Sequence, residues 1–413
     1  MSIFQAADLL IPHEAALPDW AVIACDQFSS QPEYWRAVRA QTEGKPSAYH
    51  IVFPEAELGR DEEERIFSIN AAMRSYLDAG LFRSFPASCV YVERQLLDGS
   101  VRRGVVGVID LEDYDYHSGS LAPIRATEQT VQERIPPRVR IREDAALETS
   151  HAILLMDDEA GAVLDSLTAA RDDLPLVYDF PLMQGGGRIV GRLVSGEAAH
   201  AFDRAVADYE ARTVLRFAET GRAPLLYAVG DGNHSLATAK TCWEARKRQD
   251  PSLAGTAHPA RYAMVELQNI RDEVQRFEPI HRLLTGVDVD ALLEEAEGLC
   301  APDGTPVAWV AGERRGQLLL DTDSGSLAAA VLQPFLDVWL LGHEGSIDYI
   351  HGDEAAVSLA GQPGALAFLL PPIAKDDFFR GIVLDGVLPR KTFSMGHAQE
   401  KRYYLECRRI TEE

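Results

Sequence analysis

An apolar run, Leu225-Leu226-Tyr227-Ala228-Val229, passes into Gly230-Asp231-Gly232 and then into Asn233-His234-Ser235. These residue types at this spacing suit anion binding. A buried strand that meets residues tolerant of positive φ and then a helix start leaves backbone N–H groups pointing outward, with the positive end of the helix dipole behind them. Asn233 or Ser235 is placed to cap that helix. Leu236, Ala239 and Trp243 recur at helical spacing, and Arg246, Lys247 and Arg248 lie near the far end, where cations suit the dipole. Phosphate is the expected ligand. An ordinary strand-turn-helix junction with a satisfied histidine fits the same residues.

Five further stretches carry chemistry. Glu14 and Asp26 end apolar segments, where a carboxylate stands at a pocket rim and serves either as a general base or as a plain rim charge. Lys391, Thr392 and His397 bring cation, hydroxyl and imidazole together in a glycine-containing loop. That set suits the anionic group of a substrate, with a basic surface turn as the alternative. His281-Arg282 is expected where a strand passes into a helix, as a phosphate or carboxylate contact or as a capping pair. The segment 125–142, rich in arginine and glutamate around two prolines, reads as a functional loop or as a solvated, salt-bridged one.

The elements that must position these residues follow from periodicity and turn chemistry. Helices are expected over 62–79 and 197–219. Asp98-Gly99 sets a hairpin between strands 89–96 and 103–109, and the triple glycine 185–187 a second hairpin. Trp20–Cys25 and His151–Met156 read as buried strands. From about Gly286 a new α+β unit begins, so the 413 residues divide into 1–285 and 286–413, in keeping with the size at which single cores stop growing. The whole is expected to be α+β with a mixed sheet. A net charge of −24 argues against nucleic acid as a partner. Five scattered cysteines and no apolar run approaching eighteen residues point to a cytoplasmic protein away from membranes.

With these residues in view, a resemblance emerges. Trp20–Trp35, Arg125–Leu147, Val229–Lys240 and Leu388–His397 resemble the bacterial family of unknown function DUF1015, over essentially the full chain. The turn VGDGNHSLATA is also similar to the D-G-H-H-R-x-x-A signature of the ParB and sulfiredoxin superfamily, whose members bind nucleotide phosphates there. Within that group the chain looks most like the archaeal free-serine kinase. Pro12-His13-Glu14 is similar to that kinase's P-H-E segment, and Lys391, Thr392 and His397 match types in its late loop.

The resemblance implies a ParB/sulfiredoxin-like core with large insertions, and a nucleotide-dependent phosphotransferase acting on a small hydroxyl-bearing metabolite such as L-serine. ATP or ADP would lie on Asp231, Gly232, Asn233, His234 and Ser235, with Mg²⁺ held partly by Asp231. Glu14 would be the catalytic base, Asp26 the reserve, and Lys391, Thr392 and His397 would grip the acceptor. The chain departs from the pattern at Asn233, where the superfamily has histidine, and at Ser235, where it has arginine. Arg134, Arg282 or Lys391 would then supply the lost charge, and His281 an additional contact. A nucleotide- or metabolite-binding regulator without turnover is the alternative implied by those departures.

Overall fold

A computed structural model of the chain describes residues 2–29, 31–59, 61–128, 135–218, 220–322, 327–389, 391–396 and 398–412. Among the described residues an 11-stranded mixed sheet and a 6-stranded sheet form two α+β layers. In the large sheet the strands run in the order 176–181, 188–194, 82–95, 101–110, 262–269, 152–156, 227–231, 124–126 and 114–115. The pairs 262–269 with 152–156 and 227–231 with 124–126 are parallel, whereas 227–231 runs antiparallel to 152–156.

The continuous apolar runs mark strands covered on both faces. In Ala152–Met156 every residue is buried. Ala152, Leu154 and Met156 join a core with Phe202, Val206 and Trp243, while Ile153 and Leu155 point into a different cluster on the opposite face, as a period of two requires. Both hairpins form where the glycines indicated. Val101–Asp110 folds back on Phe82–Gln95 through Gly99 at φ +84°, and Arg188–Val194 pairs with Leu176–Pro181. The helices Glu62–Asp78 and Gly196–Ala218 lie where periodicity put them.

Three local expectations differ. Trp20–Cys25 is not one strand: Leu17–Trp20 is a helical turn, and Val22–Ile23 pairs with Tyr403–Tyr404. An apolar run fixes burial but not backbone form, and the strand partner here comes from the other end of the chain. His281-Arg282 lies inside the strand Phe277–Thr285 rather than at a strand-to-helix passage. In the segment 125–142, residues 124–126 form a strand and Ile135–Glu143 a helix.

The second sheet is antiparallel in the order 314–320, 300–311, 365–369, 277–285 and 346–351, and Phe393–Met395 adds to the start of Phe277–Thr285. Residue 285 is thus the last of a strand whose partners all lie in the second sheet. The chain then returns, with Arg408–Arg409 pairing Leu147–Glu148 in the first layer. The two layers meet through an apolar cluster. Ile153, Leu155 and Ala228 of the first sheet pack with Phe277, Phe393 and Met395 of the second, and the Phe277 ring stacks on Phe378 at 4.6 Å.

Candidate functional site

The strand Tyr227–Asp231 ends at this junction and runs into the helix Asn233–Gln249. Two glycines make the turn possible. A Cβ at Gly230 would lie 2.6 Å from Met395 Sδ and 2.7 Å from Leu155 Cδ1, so its bareness lets the second layer close on the strand. Gly232 occupies the left-handed region at φ +84°, and a Cβ there would meet the Ala152 backbone at 3.0 Å. Gly232 is itself the N-cap, and no side chain caps the helix, contrary to the expectation for Asn233 or Ser235. The first turn therefore begins without a side-chain cap, beside the Asp231 carboxylate.

It opens into a cleft of about 1490 Å³, counted out to bulk solvent, between the two layers. The first layer contributes Asp26, Phe28, Glu128 and the turn Gly230 to His234. The second contributes His351, Lys391 and the strand Phe393–Met395, with Lys401 from the returning chain end. Asp26 follows the short strand Val22–Ile23, and its loop is pinned where Ala24 N donates to Arg402 O at 2.9 Å. Asp26 Oδ1 is buried without a hydrogen-bond partner, as is Asn233 Oδ1, whose amide nitrogen reaches Thr127 Oγ1 at 3.4 Å. Phe28 holds a positive φ of 54° with its ring stacked on Tyr34 at 4.0 Å, a strained backbone kept in place by packing at the cleft wall.

Asp231 is engaged by cations. Its Oδ2 lies 2.7 Å from Arg402 Nη1 and 3.9 Å from Lys401 Nζ, and its Oδ1 accepts the Gly232 N–H at 2.8 Å. Although burial opposes ionisation, Arg402 and Lys401 hold this carboxyl well below the usual carboxylate range. Arg402 is 1% exposed and also donates to His151 O at 2.6 Å and to the Tyr404 hydroxyl at 3.2 Å. Glu128 behaves oppositely. Burial raises its carboxyl, with Lys391 pulling against the rise, and its Oε1 accepts from Thr392 N at 3.2 Å. Burial, then Lys391 and Lys401, lower the His351 imidazole, which favours its neutral form.

The cleft gathers Asp26, Asp231, Gly232, Asn233, His234 and Lys391 from the sequence candidates. The others lie elsewhere. Glu14 sits on an exposed 3₁₀ turn, Glu14–Ala16, beside Leu81 and outside the cleft lining. Its strand runs along Phe82–Gln95, and that pairing carries the end of the strand away from the junction. Ser235 turns from the cleft toward a second cavity, because successive helical residues point about 100° apart. His281 is buried, bonding Asp353 Oδ1 at 2.8 Å through Nε2 and receiving the Leu370 N–H at Nδ1. Arg282, fully buried, donates to Gln333 Oε1 and to the Lys391 carbonyl at 2.8 Å. It anchors the lysine loop and does not itself line the cleft. Thr392 is buried, with its hydroxyl on Pro389 O at 2.6 Å. Arg134 and His397 lie outside the described residues.

The expectation that Asp231 holds a metal meets a specific obstacle, since its Oδ1 accepts the Gly232 N–H and its Oδ2 is ion-paired with the buried guanidinium of Arg402. Among the described residues no three His, Cys, Asp or Glu side chains gather into a metal-ligand cluster. The unpartnered oxygens of Asn233 and Asp26 are the hard donors that Mg²⁺ prefers. The sequence reading missed Lys401, Arg402, Glu128 and His351. Lys401-Arg402 is a visible cation pair, but nothing local ties it to a turn some 170 residues earlier.

Similar proteins add the following. No curated protein matches the chain. A solved structure described as SbnI with C-terminal truncation from Staphylococcus aureus shares 12% identity over 70% of this chain and 82% of its own, with a TM-score of 0.36. A conserved hypothetical protein from Pyrococcus furiosus shares 12% identity over 74% and 95%, with a TM-score of 0.35. A free serine kinase in complex with AMP shares 12% identity over 73% and 90%, with a TM-score of 0.37. Among the described residues no helix is long and apolar enough to cross a membrane. The profile of one family, described as Protein of unknown function (DUF1015), matches residues 7–407, and the chain belongs to that family.

Proposed function

We propose that the cleft binds ATP or ADP by its phosphates and transfers a phosphoryl group to a small hydroxyl-bearing metabolite such as L-serine. One observation carries this reading: an uncapped helix start, two lysines from other parts of the chain and a carboxylate with an unpartnered buried oxygen all face one cleft. Phosphoryl transfer asks for little more than positioning and charge neutralisation. The phosphates rest on the first turn of Asn233–Gln249, and Lys391 and Lys401 supply the charge that Ser235 lacks. Asp26, in place of Glu14, takes the proton of the acceptor hydroxyl as its oxygen bonds to phosphorus. The bridging P–O bond breaks and the leaving nucleotide keeps the electron pair. Mg²⁺, when bound, neutralises phosphate charge, and Asn233 Oδ1 is the oxygen best disposed to hold it. In this reading residues 1–285 carry the nucleotide-binding turn, and 286–413 complete the substrate site and bring Lys391 and Lys401 to it. The protein works in the cytoplasm, without nucleic acid or membrane.

The engagement of Asp231 by Arg402 and the turning away of Ser235 favour a second reading, a nucleotide- or metabolite-binding regulator without turnover. One experiment separates the two. Purified protein is incubated with ATP or ADP, Mg²⁺ and a panel of hydroxy amino acids, and phosphorylated product and nucleotide binding are both measured. Product that depends on Asp26 supports the transferase. Binding without product supports the regulator, and the absence of both refutes the shared premise of a nucleotide cleft.

A further inference from the structure

A second cavity, with about 80 Å³ open to the centre of a water-sized sphere, lies on the other side of the first turn of Asn233–Gln249. The two cavities share a wall. Cys25 lines this one and Asp26 the cleft, while Ser235 and Thr238 face this one and Asn233 and His234 the cleft. Its body is apolar, formed by Ile51, Val52, Phe53, Met73, Ile141 and Leu147.

One end is charged in an unbalanced way. Arg142 Nη1 donates to Glu148 Oε1 at 2.6 Å, and Arg408 Nε donates to Glu148 Oε2 at 2.7 Å, where Met264 N also donates at 3.0 Å. Two guanidinium groups therefore share one carboxylate. The other arm of Arg408 is spent on the carbonyls of Pro259 and Tyr262. Arg142 Nη2 is buried with no acceptor. A buried charged donor left unmet is costly, and a pocket of mostly apolar walls with one such donor is the usual form of a small-molecule site.

We infer that this pocket binds a small apolar carboxylate, with its hydrocarbon along Ile51, Val52 and Leu147 and its carboxylate on Arg142 Nη2. Guanidinium matches carboxylate in geometry and charge. Arg142 meets Glu148 through Nη1 alone, which leaves Nη2 without a carboxylate partner. The inference stands apart from the phosphotransferase reading, since neither the pocket nor Arg142 enters that chemistry.

The test is calorimetric titration of the full chain, without nucleotide, using hexanoate, acetate and hexan-1-ol as probes. Each methylene buried is worth about fourfold in affinity. Hexanoate is expected to saturate one site per chain, at least about tenfold tighter than acetate and than hexan-1-ol. Arg142→Met is expected to abolish the preference for hexanoate over hexan-1-ol while Glu148 keeps its bond to Arg408. Ala145→Leu, which fills the cavity from its wall, is expected to weaken hexanoate at least about tenfold with ADP binding unchanged. Thermal melting confirms that each variant folds, and Ala145→Leu decides the matter if Arg142→Met does not. Hexanoate binding that fails to saturate, matches hexan-1-ol, keeps its preference over hexan-1-ol in folded Arg142→Met, or survives Ala145→Leu overturns the proposal. Loss of ADP binding alone leaves it intact.

Discussion

Replacing Asp231 by asparagine removes the negative charge that faces Arg402 and Lys401. The guanidinium is 1% exposed and 2.7 Å from the carboxylate. After the substitution its described hydrogen-bond partners are the His151 carbonyl and the Tyr404 hydroxyl, both neutral, and Asp26 remains as a negative group acting on it. Breaking a buried pair from one side typically costs about 3–5 kcal/mol, because the remaining charge stays buried without compensation. For 413 residues melting as one unit, that is a fall of about 3–6 °C in Tm. The assay is urea unfolding followed by tryptophan fluorescence, on Asp231→Asn, Arg402→Met and the double variant, without nucleotide or metal. The double variant is expected to lose less than the sum of the single ones, which is the signature of direct coupling. The pH dependence has a definite sign. The folded-state pKa of Asp231 is lowered, so its contribution is fully present above the ordinary carboxylate range and is lost as pH falls through the lowered value; Asp231→Asn flattens that acid limb. A role as metal ligand predicts the reverse: little loss in the metal-free protein, and loss of any stabilisation by Mg²⁺. A cost below about 1 kcal/mol without metal would refute the ion-pair argument.

Other outcomes follow from the same geometry. Asp26→Asn is expected to lower turnover by about 10²–10⁴ with nucleotide affinity retained, whereas Glu14→Gln, on an exposed turn, leaves turnover unchanged; steady-state kinetics paired with calorimetry reads both, and equal effects would remove Asp26 from its role. Lys391→Ala and Lys401→Ala should each weaken ADP binding by up to about tenfold, and the wild-type affinity should fall with salt; affinity indifferent to ionic strength would contradict a phosphate site. Arg282→Met frees the Lys391 carbonyl and is expected to weaken ADP in a way not additive with Lys391→Ala, a double-mutant cycle with no coupling being the contrary result.

Much of the fold was legible because its causes are local. The apolar run 225–229, the glycine turn and the helix behind it follow from residue types within sixteen positions, and so do the hairpins at Gly99 and at the triple glycine. The α+β class followed from the alternation of such segments, and the structure has it. Helical phase was legible less well: Ser235 is one residue from His234, yet the two face different cavities.

What only the tertiary structure decided is which distant groups meet. Glu14 and Asp26 are equivalent in sequence, each a carboxylate after an apolar segment. The pairing of Val22–Ile23 with Tyr403–Tyr404 brings Asp26 to the layer junction, while pairing along Phe82–Gln95 carries Glu14 away from it. The same return of the chain end sets Lys401 and Arg402 beside Asp231, and strand pairing within the second sheet buries His281 and Arg282. The sequence by itself determined the strand, the glycine turn and the helix behind it. The choice of cations and carboxylate around it depends on contacts spanning more than 150 residues, whose energy comes from burial and pairing that no local pattern encodes.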